Sequence, residues 1–83
     1  MTQRKYIEAV RPLENNVLQV DFVSGSRVLL DMSEQMEKLR FRKLKQAEVW
    51  NSARTNGIFV LFDGAEISHD EILDMVGAAN NEQ

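Results

Sequence analysis

From Ile7 to Asp31 the chain reads IEAVRPLENNVLQVDFVSGSRVLLD. Apolar alternation, an Asn-Asn turn, a second alternating run and a Ser-Gly-Ser turn follow in quick succession. Leu18, Val20 and Phe22 fall on one face of an extended chain and Gln19 and Asp21 on the other. That period of two belongs to a strand with one face against a core. The expected structure is an antiparallel β-meander. Its strands run from Ile7 to Arg11, stopping at Pro12, which lacks a ladder donor, then from Val17 to Phe22 and from Arg27 to Asp31. Asn15-Asn16 suit the first turn because Asn tolerates left-handed backbone angles.

Beyond the meander, Ser33 is the expected N-cap of a short helical segment carrying Met36 and Leu39 on one side. A second helical piece is expected over 46–52, burying Val49 and Trp50. Residues 54–62 read as a hairpin around Asn56-Gly57, a strong two-residue turn signal, and Asp63-Gly64 ends its second strand. The last helix is the best signed. Ser68 and Glu71 have the spacing of a capping box, Ile67 and Ile72 that of a hydrophobic staple, and Ile72, Leu73 and Val76 form an apolar stripe. The expected fold class is α+β, an antiparallel sheet built of the meander and a second hairpin. Short helices and a C-terminal helix pack mainly on one face. The 83 residues form a single domain, ordered over about 6–77, with 78–83 a frayed tail.

Absence of cysteine removes disulfides and thiolate metal sites and suits a reducing cytoplasm. The start MTQRKYIEAV has no apolar leader core, and no run approaches the roughly 18 apolar residues of a membrane span. The expectation is a soluble cytoplasmic protein without a membrane.

Catalytic signals are sparse. Ser68, His69 and Asp70 are consecutive helical residues that point in different directions, so they form no nucleophile, base and orienter chain. His69, the single histidine, reads as an exposed first-turn residue. Asp70 and Asp74 share a helical face with Glu66 and Asp63 nearby, but without the ladder of a calcium loop they read as a solvated acidic face. Gly25, Gly57, Gly64 and Gly77 are scattered, and no two make a phosphate loop. The expectation is no enzyme, no cofactor, no metal and no small-molecule substrate.

Two features bear on binding. The net charge of −3 hides a basic middle, Lys38, Arg40, Arg42, Lys43, Lys45 and Arg54, followed by an acidic end without Lys or Arg. On a helix Lys38, Arg42 and Lys45 would share a face beside Phe41 or Trp50, which are the ingredients for phosphate contact and base stacking. The overall acidity instead favours a solvated face or an acidic protein partner. The second feature is apolar. Val28-Leu29-Leu30 and residues 58–62 are apolar on both faces, and such strands must be covered on both. Either helices wrap the sheet, or Leu29, Phe59 and Leu61 form a patch covered by a second copy or another partner.

Ile7, Val10, Pro12 and Leu13, then Leu18, Val20, Phe22, Gly25 and Asp31, continue into Leu44, Val49-Trp50, Gly57 and Asp63-Gly64-Ala65. In order and spacing, from Ile7 to about Leu73, this set resembles the bacterial family catalogued as domain of unknown function 2442. Where that family often has Trp-Pro before Asp-Gly, this chain has Leu61-Phe62, so a role resting on that indole does not carry over. The resemblance implies a small protein that pairs with a neighbour in a toxin–antitoxin-like arrangement, or a module fused elsewhere to a helix-turn-helix domain. The resulting expectation is a non-enzymatic interaction module, antitoxin-like or regulatory, binding a protein partner or itself as a homodimer. The alternative is an accessory nucleic-acid binder using residues 38–54.

Overall fold

A computed structural model describes residues 5–80. The fold is α+β, with two three-stranded antiparallel sheets where one was expected. Strands β1 (Ile7–Pro12), β2 (Val17–Phe22) and β3 (Arg27–Asp31) form the first in the order β1-β2-β3. Strands β4 (Arg54–Thr55), β5 (Phe59–Phe62) and β6 (Ala65–Ser68) form the second in the order β4-β5-β6. A short helix α1 (Ala47–Trp50) precedes β4, and the long helix α2 (His69–Asn80) follows β6. Among the described residues no helix is long and apolar enough to cross a membrane.

The meander follows the alternation closely. Leu18, Val20 and Leu30 are buried, while on the opposite face Gln19 pairs with Leu29 and Asp21 with Arg27. In β1 a strict period of two would put Ile7 and Val10 on opposite faces. The ladder instead pairs Ile7 with Phe22 and Ala9 with Asp21, so Glu8 is an extra residue that rephases the strand and turns both Ile7 and Val10 inward. Pro12 ends β1 rather than lying beyond it. Leu13 donates to Val17 O at 2.8 Å, which makes Pro12–Leu18 a non-hydrogen-bonded pair and leaves no ladder bond for the proline to miss. Asn15 and Asn16 take φ of 64° and 63° to reverse the chain, as expected of asparagine.

Several local expectations fail for identifiable reasons. Ser33 caps nothing: its N–H is held by Asp31 Oδ1 at 3.0 Å, and the next turn, Gln35–Glu37, starts without a side-chain cap. Residues 39–45 are 3-10 rather than α, so Phe41 and Leu44, three apart, share the buried row. Lys38 is extended (φ −77°, ψ 146°) and separates that segment from Gln35–Glu37. Met36 is therefore buried while Leu39 is 83% exposed. The Asn56-Gly57 hairpin forms with a longer loop than two residues, because Thr55 pairs with Val60 and Asn56 does not take positive φ. Asn56 Oδ1 accepts the N–H groups of Ile58 and Phe59 at 3.0 and 2.9 Å. Strand β6 was not anticipated. Ala65-Glu66-Ile67-Ser68 alternates over only four residues and merges into the capping signal of α2.

One hydrophobic cluster joins both sheets. Ile7, Leu18, Val20 and Leu30 from the first meet Val60, Phe62 and Ile67 from the second, and Phe41, Leu44 and Ile72 close the space. Trp50 stacks on Phe62 (5.8 Å between centroids) and donates Nε1–H to Leu13 O at 3.1 Å, tying α1 to the β1–β2 turn. The capping box forms in full. Glu71 N donates to Ser68 Oγ and Ser68 N to Glu71 Oε1, each at 3.1 Å. Helix α2 passes through Gly77, so of the tail expected over 78–83 residues 78–80 are helical, and 81–83 lie outside the described residues.

Candidate functional site

Sites proposed from the pattern fare unevenly. Leu29 sits on the outer face of the first sheet, 61% exposed, whereas Phe59 and Leu61 lie on the outer face of the second and are half-buried. Leu61 stands across the ladder from Arg54 on one side and Glu66 on the other. Leu29 borders a depression beside Met75, Phe59 one beside His69, and Leu61 one beside Gly64. Splitting the strands into two sheets thus divides the expected patch in two, with Leu29 on one sheet and Phe59 and Leu61 on the other.

The basic segment is divided as well. Arg40 grips Glu71 with two nitrogens and donates to Glu66 O at 3.1 Å, bracing the 3-10 segment against β6 and α2. That contact holds the Glu71 carboxyl below its usual pKa, with the capping N–H of Ser68 adding to the effect. Lys45 pairs with Glu37 at 3.0 Å and Arg54 with Asp63 at 3.2 Å. Lys38, Arg42 and Lys43 have no ion pair among the described residues. Neither aromatic is open for stacking: Phe41 is buried beneath the Arg40 guanidinium, and Trp50 is spent on Phe62 and Leu13.

A different surface draws attention. The N–H groups of Tyr6 and Ile7 both reach Gly57 O, at 2.8 and 2.9 Å, and His69 N reaches Ile58 O at 2.9 Å. Those bonds bring the start of β1 and the start of α2 onto the β4–β5 loop. Gly57 permits the approach, since it takes φ +100° and a Cβ there would stand 2.7 Å from Lys5 Cγ. Val23 N donates to Tyr6 O at 2.9 Å and adds the end of β2 to the same corner. His69 is not the exposed residue expected. Its ring stacks on Tyr6 at 4.3 Å and meets the edge of Phe22 at 5.9 Å, mostly out of water.

Around this aromatic floor lies a groove of about 530 Å³, walled by Phe22, Val23, Val28, His69, Leu73 and Tyr6, with Lys5, Ser24 and Ser26 at its polar margin. Three of the five large apolar residues exposed among the described residues meet here: Tyr6 at 38%, Val23 at 51% and Leu73 at 47%. Leu73 belongs to this wall rather than to the core stripe, which Ile72, Met75 and Val76 already complete. The sequence does carry a signal for it. Tyr6-Ile7, Phe22-Val23 and Ile72-Leu73 each place a surplus apolar residue beside a core position. Asp70 and Asp74 stand one residue further round α2 from His69 and Leu73, both exposed.

Chemically, the groove offers apolar contact, an imidazole face and the Lys5 ammonium at its margin, with Asp70 and Asp74 on α2 just outside its lining. Among the described residues no three His, Asp or Glu side chains converge as a metal-binding group. No family model matches this chain, and no curated protein and no solved structure is significantly similar to it.

Proposed function

We propose that this chain is a non-enzymatic cytoplasmic interaction module. Its groove receives an apolar side chain of a protein partner, and basic residues flanking that side chain meet Asp70 and Asp74. The observation that carries the reading is the convergence of Tyr6, Val23 and Leu73 on one concave surface. Isolated exposed apolar residues are ordinary, whereas three converging on a groove of ligand-binding size are the pattern of a recognition site. Full burial of one large side chain is worth roughly 1.5–3 kcal/mol, so covering these half-exposed ones supplies a useful part of a binding energy. The resemblance to domain of unknown function 2442 supports an antitoxin-like or regulatory role and is part of the same proposal.

Nucleic-acid binding by the basic segment has less support, because Arg40, Lys45 and Arg54 are engaged by Glu71, Glu37 and Asp63. Duplex DNA titrated at low salt tests that alternative. Submicromolar binding lost on Arg42→Glu with Lys43→Glu would favour it.

Selection of random 12-residue peptides displayed on phage tests the proposal. Enriched peptides are expected to share an aliphatic or aromatic anchor with Lys or Arg close by, and to bind the wild type but not Val23→Asp or Leu73→Lys. No enrichment, or peptides that bind all three proteins equally, would refute it.

A further inference from the structure

Strand β3 is an edge of the first sheet, and its free side has a definite chemistry. Phe22 N donates to Ser26 O and Met32 N to Asn16 O, each at 2.8 Å, so the bonded pairs of the β2–β3 ladder fall at even positions of β3. Hydrogen-bonded and non-bonded pairs alternate along an antiparallel ladder. Val28 and Leu30 therefore bond to β2, while Arg27, Leu29 and Asp31 turn their N–H and C=O groups outward. These groups have no partner among the described residues. All three side chains stand on the outer face, and all three residues are exposed.

We propose that β3 pairs antiparallel with β3 of a second copy of this chain about a two-fold axis at Leu29, joining two meanders into one six-stranded sheet. Register and charge single out this arrangement. With Leu29 opposite Leu29 of the second copy, Arg27 falls opposite Asp31 of that copy, and Asp31 opposite its Arg27. Every outward N–H and C=O of the three residues then meets a complementary group. A slip by two residues in either direction leaves one of the three outside the strand pairing and puts a charge opposite Leu29.

Edges guarded against pairing carry unmatched charge, proline or a bulge. This edge carries opposite charges spaced evenly about a leucine, which under two-fold symmetry attract. Arg27 uses Nε for Asp21 Oδ1 at 2.6 Å within its own chain, which leaves its two terminal nitrogens for the second copy. The outward face of the joint is completed by Leu29 against Leu29, with Gln19 beside each. The inference goes beyond the groove and uses none of its lining residues.

The test is sedimentation of the 83-residue chain over a concentration series, with residue-resolved amide exchange at both ends of the series. Expected are a monomer–dimer equilibrium and amides of Arg27, Leu29 and Asp31 that slow as the dimer fills. Leu29→Lys sets like charges at the axis and is expected to weaken the dimer by about tenfold or more with an unchanged circular dichroism spectrum. The combined exchange Arg27→Asp with Asp31→Arg is expected to restore pairing relative to Arg27→Asp alone. A wild type that stays monomeric at millimolar concentration would overturn the proposal. So would a dimer whose amides at 27, 29 and 31 exchange as fast as in the monomer, a reading that needs no variant to fold. Loss of groove binding by Leu73→Lys leaves this equilibrium unaffected, so the two proposals fail separately.

Discussion

Replacing Ser68 by alanine deletes one acceptor at the start of α2 and leaves the surrounding apolar packing in place. Ser68 Oγ accepts Glu71 N–H at 3.1 Å, so the variant strands one first-turn donor, while the reciprocal bond from Ser68 N to Glu71 Oε1 survives because it uses the backbone of residue 68. Loss of such a cap costs about 1 kcal/mol. For a domain of this size that lowers the melting temperature by about 4–8 °C. Glu71→Ala removes more. It takes the other half of the box and the Arg40 contact, a half-exposed ion pair worth up to about 1 kcal/mol, so a total near 2 kcal/mol is expected. Glu71→Gln keeps an acceptor for Ser68 N–H and loses only the charge, so it should cost at most about 1 kcal/mol, no more than Ser68→Ala. Thermal and urea melts followed by circular dichroism rank the three. A Ser68→Ala variant as stable as the wild type, or one that loses peptide binding at unchanged stability, would show that Ser68 is not acting as a cap.

Other perturbations follow from the same contacts. Trp50→Phe keeps the stack on Phe62 but leaves Leu13 O without its indole donor, and urea melts should show a loss of about 1 kcal/mol. Gly64→Ala is expected to cost about 1–2 kcal/mol in the same assay. Its φ is +103°, and the flexible Lys43 stem 3.0 Å from the new Cβ can move aside, so backbone strain is the main cost. The carboxyls of Glu71, Asp21 and Asp31 are held below their usual values by Arg40, Arg27 and Ser33 respectively. A depressed carboxylate pKa contributes stability that is present above its unfolded value and is lost as the pH falls through the folded one. Melting temperatures should therefore be level near neutrality and decline below about pH 4, less steeply in Glu71→Gln.

Much of the fold was legible because its determinants are local. The alternation of β2, the two asparagines at positive φ and the capping box each lie within a few residues of what they specify, and each forms as the pattern implies. Determinants that act across the chain were not legible. The bulge at Glu8 appears only once β1 is laid against β2. The division into two sheets, which separates Leu29 from Phe59 and Leu61, depends on how the meanders meet. The basic run looked like one face under helical periodicity. A 3-10 geometry spreads it around the segment, and acids from Glu37 to Glu71 neutralise half of it. His69 is the clearest case. Its neighbours in sequence suggest a solvated first turn, yet Tyr6 and Phe22, some 60 and 50 residues away in the chain, enclose its ring.

Backbone amide shifts recorded while a selected anchor-bearing peptide is titrated into the 83-residue chain test the groove most directly. The account predicts that the largest changes cluster at Tyr6, at Phe22 to Ser26 and at His69 to Leu73, and that Leu73→Lys abolishes them. Changes concentrated at Lys38 to Lys45, or unaffected by Leu73→Lys, would contradict it.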